Sequence, residues 1–243
     1  MSLDSWLSGF PADVQPRHSL VLATDERTGS ELLCQLLGAT GRLGRPSEYL
    51  NTSWMQRFIP DYPADVASQV AIAHRAGTTP NGCFSMKVHP WHIDRLLSEG
   101  TISHTFPTPT FVRLMRRDLL GQAISLHRAR QTGRYHSHIQ EERPAGFDAE
   151  AIGTTMRDLA ANRARWDLYF ARIGTSPLTV TYEELCADSF QVVHRVAAAM
   201  GETVDRTMVT SFTPIRRQAD ELSVEWRARY IHECGSVDRF DRL

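Results

Sequence analysis

The chain has 243 residues, 42% of them hydrophobic and 23% charged, and its 27 basic residues against 28 acidic ones leave a net charge of −1. Such a balance supports a soluble core of domain size and provides no global field to attract nucleic acid or an anionic membrane. Any anion site must therefore be local. The apolar strand-like run at 20–23 leads into DERTG and an apolar helical pattern at 30–39. Strand-length runs return at 83–88, 110–115 and 178–182, and helical patterns cover 90–98, a segment opening at Asp118, 149–173, 190–200 and 222–234. Short strands separated by helices predict an α/β fold, a parallel sheet flanked by helices in three layers. Residues 42–80 and 135–147 break the alternation and read as insertions over the active face on the acceptor side, and 1–18 as an N-terminal extension, within one domain spanning 1–243.

The N-terminus has no basic start followed by an apolar run, and nowhere do about 18 apolar residues follow one another, so neither a secretory signal nor a membrane span is expected. Four widely spaced cysteines, Cys34, Cys83, Cys186 and Cys234, form no C-x-x-C pair. They suit a reducing compartment, and the expected location is the cytoplasm.

The unit most telling of chemistry is the turn around Gly29. A strand feeding a helix through a glycine turn aims free backbone N–H groups and the positive end of a helix dipole at one point, where Arg27, Thr28 and Ser30 add a charged fork and hydroxyls. The triphosphate pattern G-x-x-x-x-G-K-[ST] is not met, since Glu31 follows Gly29-Ser30 where a lysine is required. A second strand ends in Arg116-Arg117, with a helix opening at Asp118 and Ser125 two turns along it. Six arginines and one aspartate lie between Arg113 and Arg134. Of these, Arg128, Arg130 and Arg134 are expected to be solvated. Lys87 is the only lysine in the chain. A compact ammonium fits beside a small transferring group where a guanidinium does not, although a side chain snorkelling from a strand end explains it too.

Five segments in order, RTGSELL at 27–33, RPSEYL at 45–50, TPNG at 79–82, RRDLLGQAIS at 116–125 and RRQADELSVEW at 216–226, resemble the trehalose 2-sulfotransferase family. The resemblance spans roughly 19–230 and implies a P-loop-like sulfotransferase architecture using 3′-phosphoadenosine 5′-phosphosulfate (PAPS) as donor, with no metal. It implies a carbohydrate or glycolipid acceptor, no nucleic-acid partner and no membrane span, and leaves a homodimer open. Carried over by position, Arg27, Thr28, Gly29 and Ser30 hold the phosphosulfate, Arg116 and Ser125 grip the 3′-phosphate, and Arg217, Gln218 and Ala219 close over the nucleotide. Glu48 is the general base, and Lys87 and Arg27 stabilise the transferring group. The loop departs from the family's R-S-G-S-T in its acids: Asp25, Glu26 and Glu31 are expected to repel the donor, contact the acceptor, or pair with Arg116 or Arg117. A catalytically inactive nucleotide-binding sensor or interaction module of the same fold is the alternative, and a kinase-like phosphotransferase a third. His89, close to Lys87, is open to a role as a secondary acid, to a substrate contact or to a purely structural place at a strand exit. Tyr49, Trp54 and Phe58 are candidates for stacking on a sugar ring.

Overall fold

The computed structural model describes residues 1–135, 144–210, 221–238 and 240–241. Four strands, β1 (His18–Thr24), β2 (Cys83–Val88), β3 (Pro109–Met115) and β4 (Leu178–Thr181), form one all-parallel sheet in the order β2-β1-β3-β4. Every residue of β2 and all but the first of β1 are buried, as strands covered on both faces must be. The helices lie on both faces. On one face, Val21, Ala23, Phe84, Met86 and Phe111 pack with Trp166 and Phe170; on the other, Leu20, Leu22, Val112 and Leu114 pack with Leu33, Leu37 and Val193. The period of two in β1 therefore divides one strand between two cores. The sequence-predicted strands and longer helices are present, with the last strand ending one residue earlier because Tyr182 opens a short helix, Tyr182–Ala187, under a Thr181–Glu184 capping box.

Residues 42–80 hold two helices, Thr52–Gln56 and Val66–Gly77, capped by Asn51 and Asp65. Tyr49, Leu50, Met55, Ile59, Tyr62 and Ile72 of this segment join the same core as Met86 and Val88 of β2. That packing fixes the approach of Glu48 to the sheet, since the Lys87 amide donates to the Ser47 carbonyl at 3.1 Å. Tyr49 is buried, its hydroxyl donating to the Arg45 carbonyl at 2.7 Å, so it is a core residue rather than a sugar platform. Because all four strands run the same way, their C-terminal ends share one edge, which gathers the Asp25–Gly29 turn, Lys87 and His89, Arg116, and Tyr182. In open parallel sheets that edge is where ligands bind.

Candidate active site

The turn after β1 is held from inside. The Thr28 hydroxyl donates to the Asp25 carbonyl at 2.9 Å and lies 2.6 Å from the Thr24 hydroxyl, and all three residues are fully buried. Thr28 thus shapes the turn with its side chain. Arg27 and Gly29 both have positive φ, 61° and 80°. At Gly29 the requirement is twofold, because a Cβ there would sit 2.8 Å from Cδ2 of Tyr182. Gly29 also caps the helix Ser30–Ala39 without a side-chain acceptor, which leaves the amides of the first turn facing the edge of the sheet. Gly29→Ala is expected to lose about 2 kcal/mol of stability from the left-handed backbone alone, before the clash with Tyr182, as read by urea denaturation.

Asp25 is turned away from the edge. Its Oδ2 accepts from Arg113 at 2.6 Å, with the two side chains 1% and 5% exposed. Arg113 in turn lies over the Trp166 ring at 5.6 Å. The expected pairing of Asp25 with Arg116 or Arg117 is therefore replaced by one with Arg113, whose place in β3 directs it beneath the turn. Arg116 lies 3.6 Å from Asp118 instead, and the Glu183 carboxylate accepts from the backbone amides of Arg117 and Asp118 at 3.2 and 3.4 Å. Of the two remaining acids, Glu26 contributes its carbonyl to Gln122 at 2.7 Å, and Glu31 lies 3.8 Å from Lys87 and accepts from Gln35 at 3.2 Å.

Cationic charge concentrates where the first and third strands end. The Arg27 Nε donates to Ser125 Oγ at 2.9 Å, and its Nη1 donates to the Tyr135 carbonyl. Burial and the like charge of Arg116 push the Arg27 guanidinium down to about 10. Arg116 stacks over the Tyr182 ring at 4.8 Å, and its buried Nε has no hydrogen-bond partner among the described residues. Two adjacent guanidinium groups, one with an orphaned donor, ask for an anion. Tyr182 is wedged between Gly29 and Arg116 and so sets the spacing of the turn and the cation. Arg134 is a third charge acting on Arg27, rather than wholly a solvated residue.

A second cluster lies at the end of β2. The Lys87 side chain is 5% exposed, and its Nζ lies 2.7 Å from Glu48 Oε1. The same oxygen is 3.3 Å from His89 Nε2, while Glu48 Oε2 accepts from Asn51 Nδ2 at 2.7 Å. Burial by itself raises the Glu48 carboxyl, but Lys87 and His89 overcome it and hold the group well below the usual carboxylate range. Burial likewise works against the Lys87 ammonium, and Glu48 outweighs it, leaving Lys87 above its ordinary value. Lys87 is thus no snorkelling side chain. It is a buried cation with a carboxylate partner, and Asn51 is a member of this cluster that no motif identified.

A cavity of about 310 Å³ lies alongside, lined by Glu26, Trp91, Leu126, Arg130, Asp158 and Asn162 among others. Trp91 links it to the second cluster, its ring stacked on His89 at 4.3 Å with planes 5° apart. Arg217, Gln218 and Ala219 lie outside the described residues. Trp54 and Phe58 meet edge to face at 5.0 Å, with Arg57 over the Trp54 ring.

The chain is similar to known proteins. The chain is 28% identical to the trehalose 2-sulfotransferase of Mycobacterium tuberculosis (strain Erdman), over 90% of this chain and 96% of that one. The trehalose 2-sulfotransferase of Mycolicibacterium smegmatis is equally similar, at 28% identity with the same coverage. Among solved structures, the sulfotransferase domain from the curacin biosynthetic pathway shares the fold at a TM-score of 0.50 and 15% identity, over 86% of this chain and 82% of that one. Residues 19–233 match the Stf0 sulphotransferase profile, a span that contains both clusters. With the parallel sheet, the glycine turn and the paired arginines in place, the chain belongs to the Stf0 sulphotransferase family and is a sulfotransferase.

Proposed function

We propose that this sulfotransferase moves a sulfuryl group from PAPS to a hydroxyl of a carbohydrate or glycolipid, with Glu48 as the general base. The observation that carries the proposal is the Glu48 carboxylate, kept ionised by Lys87 at 2.7 Å on the same sheet edge as the Arg27 and Arg116 guanidinium groups. The residues fit a bisphosphorylated nucleotide: the orphaned Nε of Arg116 awaits an acceptor, and the turn at Gly29 brings backbone amides together where no Cβ intrudes. Arg27, Gly29 and Ser30 would hold its 5′ end, and Arg116 its 3′-phosphate. When bound, PAPS supplies an activated sulfuryl group and a phosphate leaving group.

The chain's own residues then divide the work. Glu48 Oε2, the oxygen not shared with Lys87, takes the acceptor hydroxyl's proton. A carboxylate with a depressed pKa is a weak base in the ground state, so this transfer becomes favourable only as the hydroxyl oxygen gives up electron density to its new bond. Lys87 and Arg27 place fixed positive charge near the reacting region, where it costs no reorganisation. The cavity beside Trp91 offers an aromatic face with Asp158, Asn162 and Glu26 as hydrogen-bonding groups, a combination suited to a polyol. The names of the two mycobacterial relatives support a sugar as acceptor.

Calorimetric titration with adenosine 3′,5′-bisphosphate, followed by transfer from ³⁵S-labelled PAPS to a panel of mono- and disaccharides, tests the reading. Binding and labelled sugar are expected without added Mg²⁺. Nucleotide binding with no transfer to any sugar would favour the sensor alternative, and turnover only with Mg-ATP the phosphotransferase. Arg116→Ala is expected to weaken adenosine 3′,5′-bisphosphate by about 1.5–3 kcal/mol, the scale of a hydrogen bond to a charged group. Unchanged affinity would remove Arg116 from the nucleotide site.

A further inference from the structure

His89 is a buried histidine to which the transfer chemistry gives no role. Its Nε2 lies 3.3 Å from Glu48 Oε1, its ring is stacked face to face on Trp91, and its Nδ1 is buried with no hydrogen-bond partner among the described residues. An orphaned N–H is costlier than an orphaned ring lone pair, so hydrogen-bond economy assigns the proton of the neutral ring to Nε2, which then donates to Glu48. In that tautomer His89 cannot take a proton from Glu48. It can only hold it.

We propose that His89 is a positioning residue that fixes the Glu48 carboxylate in its reactive orientation, with Trp91 locking the imidazole plane. This rests on the reading of Glu48 as base. The geometry shows how the hold works. Lys87 and His89 fix Oε1 from two directions, Asn51 bonds Oε2, and the carboxylate plane has no freedom to turn. Trp91 also lines the cavity, so the wall against which an acceptor would rest and the group that would deprotonate it form one stacked unit. The charged and titratable groups around His89 are Glu48 from the preceding loop, Lys87 from β2, and His92 from the helix Pro90–Ser98, with Glu31 and Arg95 behind them. The His89 backbone N–H donates to His92 Nδ1 at 3.2 Å, which requires that nitrogen unprotonated, and burial pushes His92 down to about 3. His92 therefore stays neutral.

Three variants test the idea in the labelled-PAPS assay. His89→Phe keeps the stack and removes the donor: kcat is expected to fall about 10-fold, the worth of one net hydrogen bond, with KM for the acceptor and affinity for adenosine 3′,5′-bisphosphate unchanged. His89→Gln returns an N–H donor and is expected to recover several-fold of that kcat. Full kcat in His89→Phe, or a kcat in His89→Gln no higher than in His89→Phe, would overturn the proposal. Should the Phe variant not fold, the Gln variant decides alone: with an N–H donor still present, a kcat about 10-fold or more below the parent's would overturn the proposal. Glu48→Gln run alongside separates the two readings: turnover in Glu48→Gln would sink the base itself, whereas an inactive Glu48→Gln beside a fully active His89→Phe would sink only the role given to His89.

Discussion

Glu48→Gln is expected to lower kcat by about three orders of magnitude, within the range that a positioned general base contributes, while calorimetry finds affinity for adenosine 3′,5′-bisphosphate unchanged. Glutamine preserves the shape and can still accept from Asn51, but it has no basic oxygen for a hydroxyl proton. The substitution also strips Lys87 of its partner at 2.7 Å and leaves a 5% exposed ammonium with, among the described residues, only Glu31 as a carboxylate partner, at 3.8 Å. Breaking such a pair from one side costs about 3–5 kcal/mol, so stability measured in urea should fall as well. Adding Lys87→Met to Glu48→Gln should recover part of that stability and none of the turnover. Recovery of turnover would show that the single variant failed through misfolding and not through loss of the base.

The pair also sets a pH dependence. Glu48 is depressed on folding, so its contribution is complete above the ordinary carboxylate value of 4.5 and is lost as pH falls below it towards the folded value. Lys87 is raised, so its contribution holds up to the ordinary lysine value of 10.5 and is lost only above that. The double variant should accordingly lose less stability than the parent between neutral pH and the region below pH 4.5.

Arg113→Ala is expected to be the most damaging change outside the reacting groups, costing about 3–5 kcal/mol in urea denaturation. Arg113 and Asp25 are 2.6 Å apart with almost no solvent, and removing the guanidinium leaves a carboxylate buried in the turn that carries Arg27 to Gly29. It also removes the cation over Trp166, whose Nε1 donates to the Thr24 carbonyl at 3.3 Å. The turn should loosen and nucleotide affinity fall together with stability. Arg113→Met with Asp25→Asn should regain most of the stability, because neither charge is then left alone. A loss as large in the double variant as in Arg113→Ala would mean that the pair is not what holds the turn.

The sheet was legible because each strand is a short apolar run bounded by turn signals, and burial on both faces demands such runs. The longer helices were legible from apolar positions spaced three and four apart. Residues 42–80 were not, because Thr52–Gln56 is only five residues long and the prolines at 46, 60 and 63 break up the segment ahead of Val66–Gly77. Their order comes from Tyr49, Met55, Ile59 and Tyr62 finding a core built by β2.

The sequence by itself determined the α/β class, the glycine turn, the cationic strand end at Arg116 and the singular Lys87, because each depends on residues adjacent in the chain. Tertiary structure decided how charges are matched. Asp25 faces Arg113, 88 residues away, Arg27 reaches Ser125 across 98, and His89 meets Glu48 across 41. A side chain's charge is written in the sequence, but its partner depends on which strands lie side by side and which face each residue presents, and there Coulomb attraction and desolvation are set by distances that the linear order does not contain.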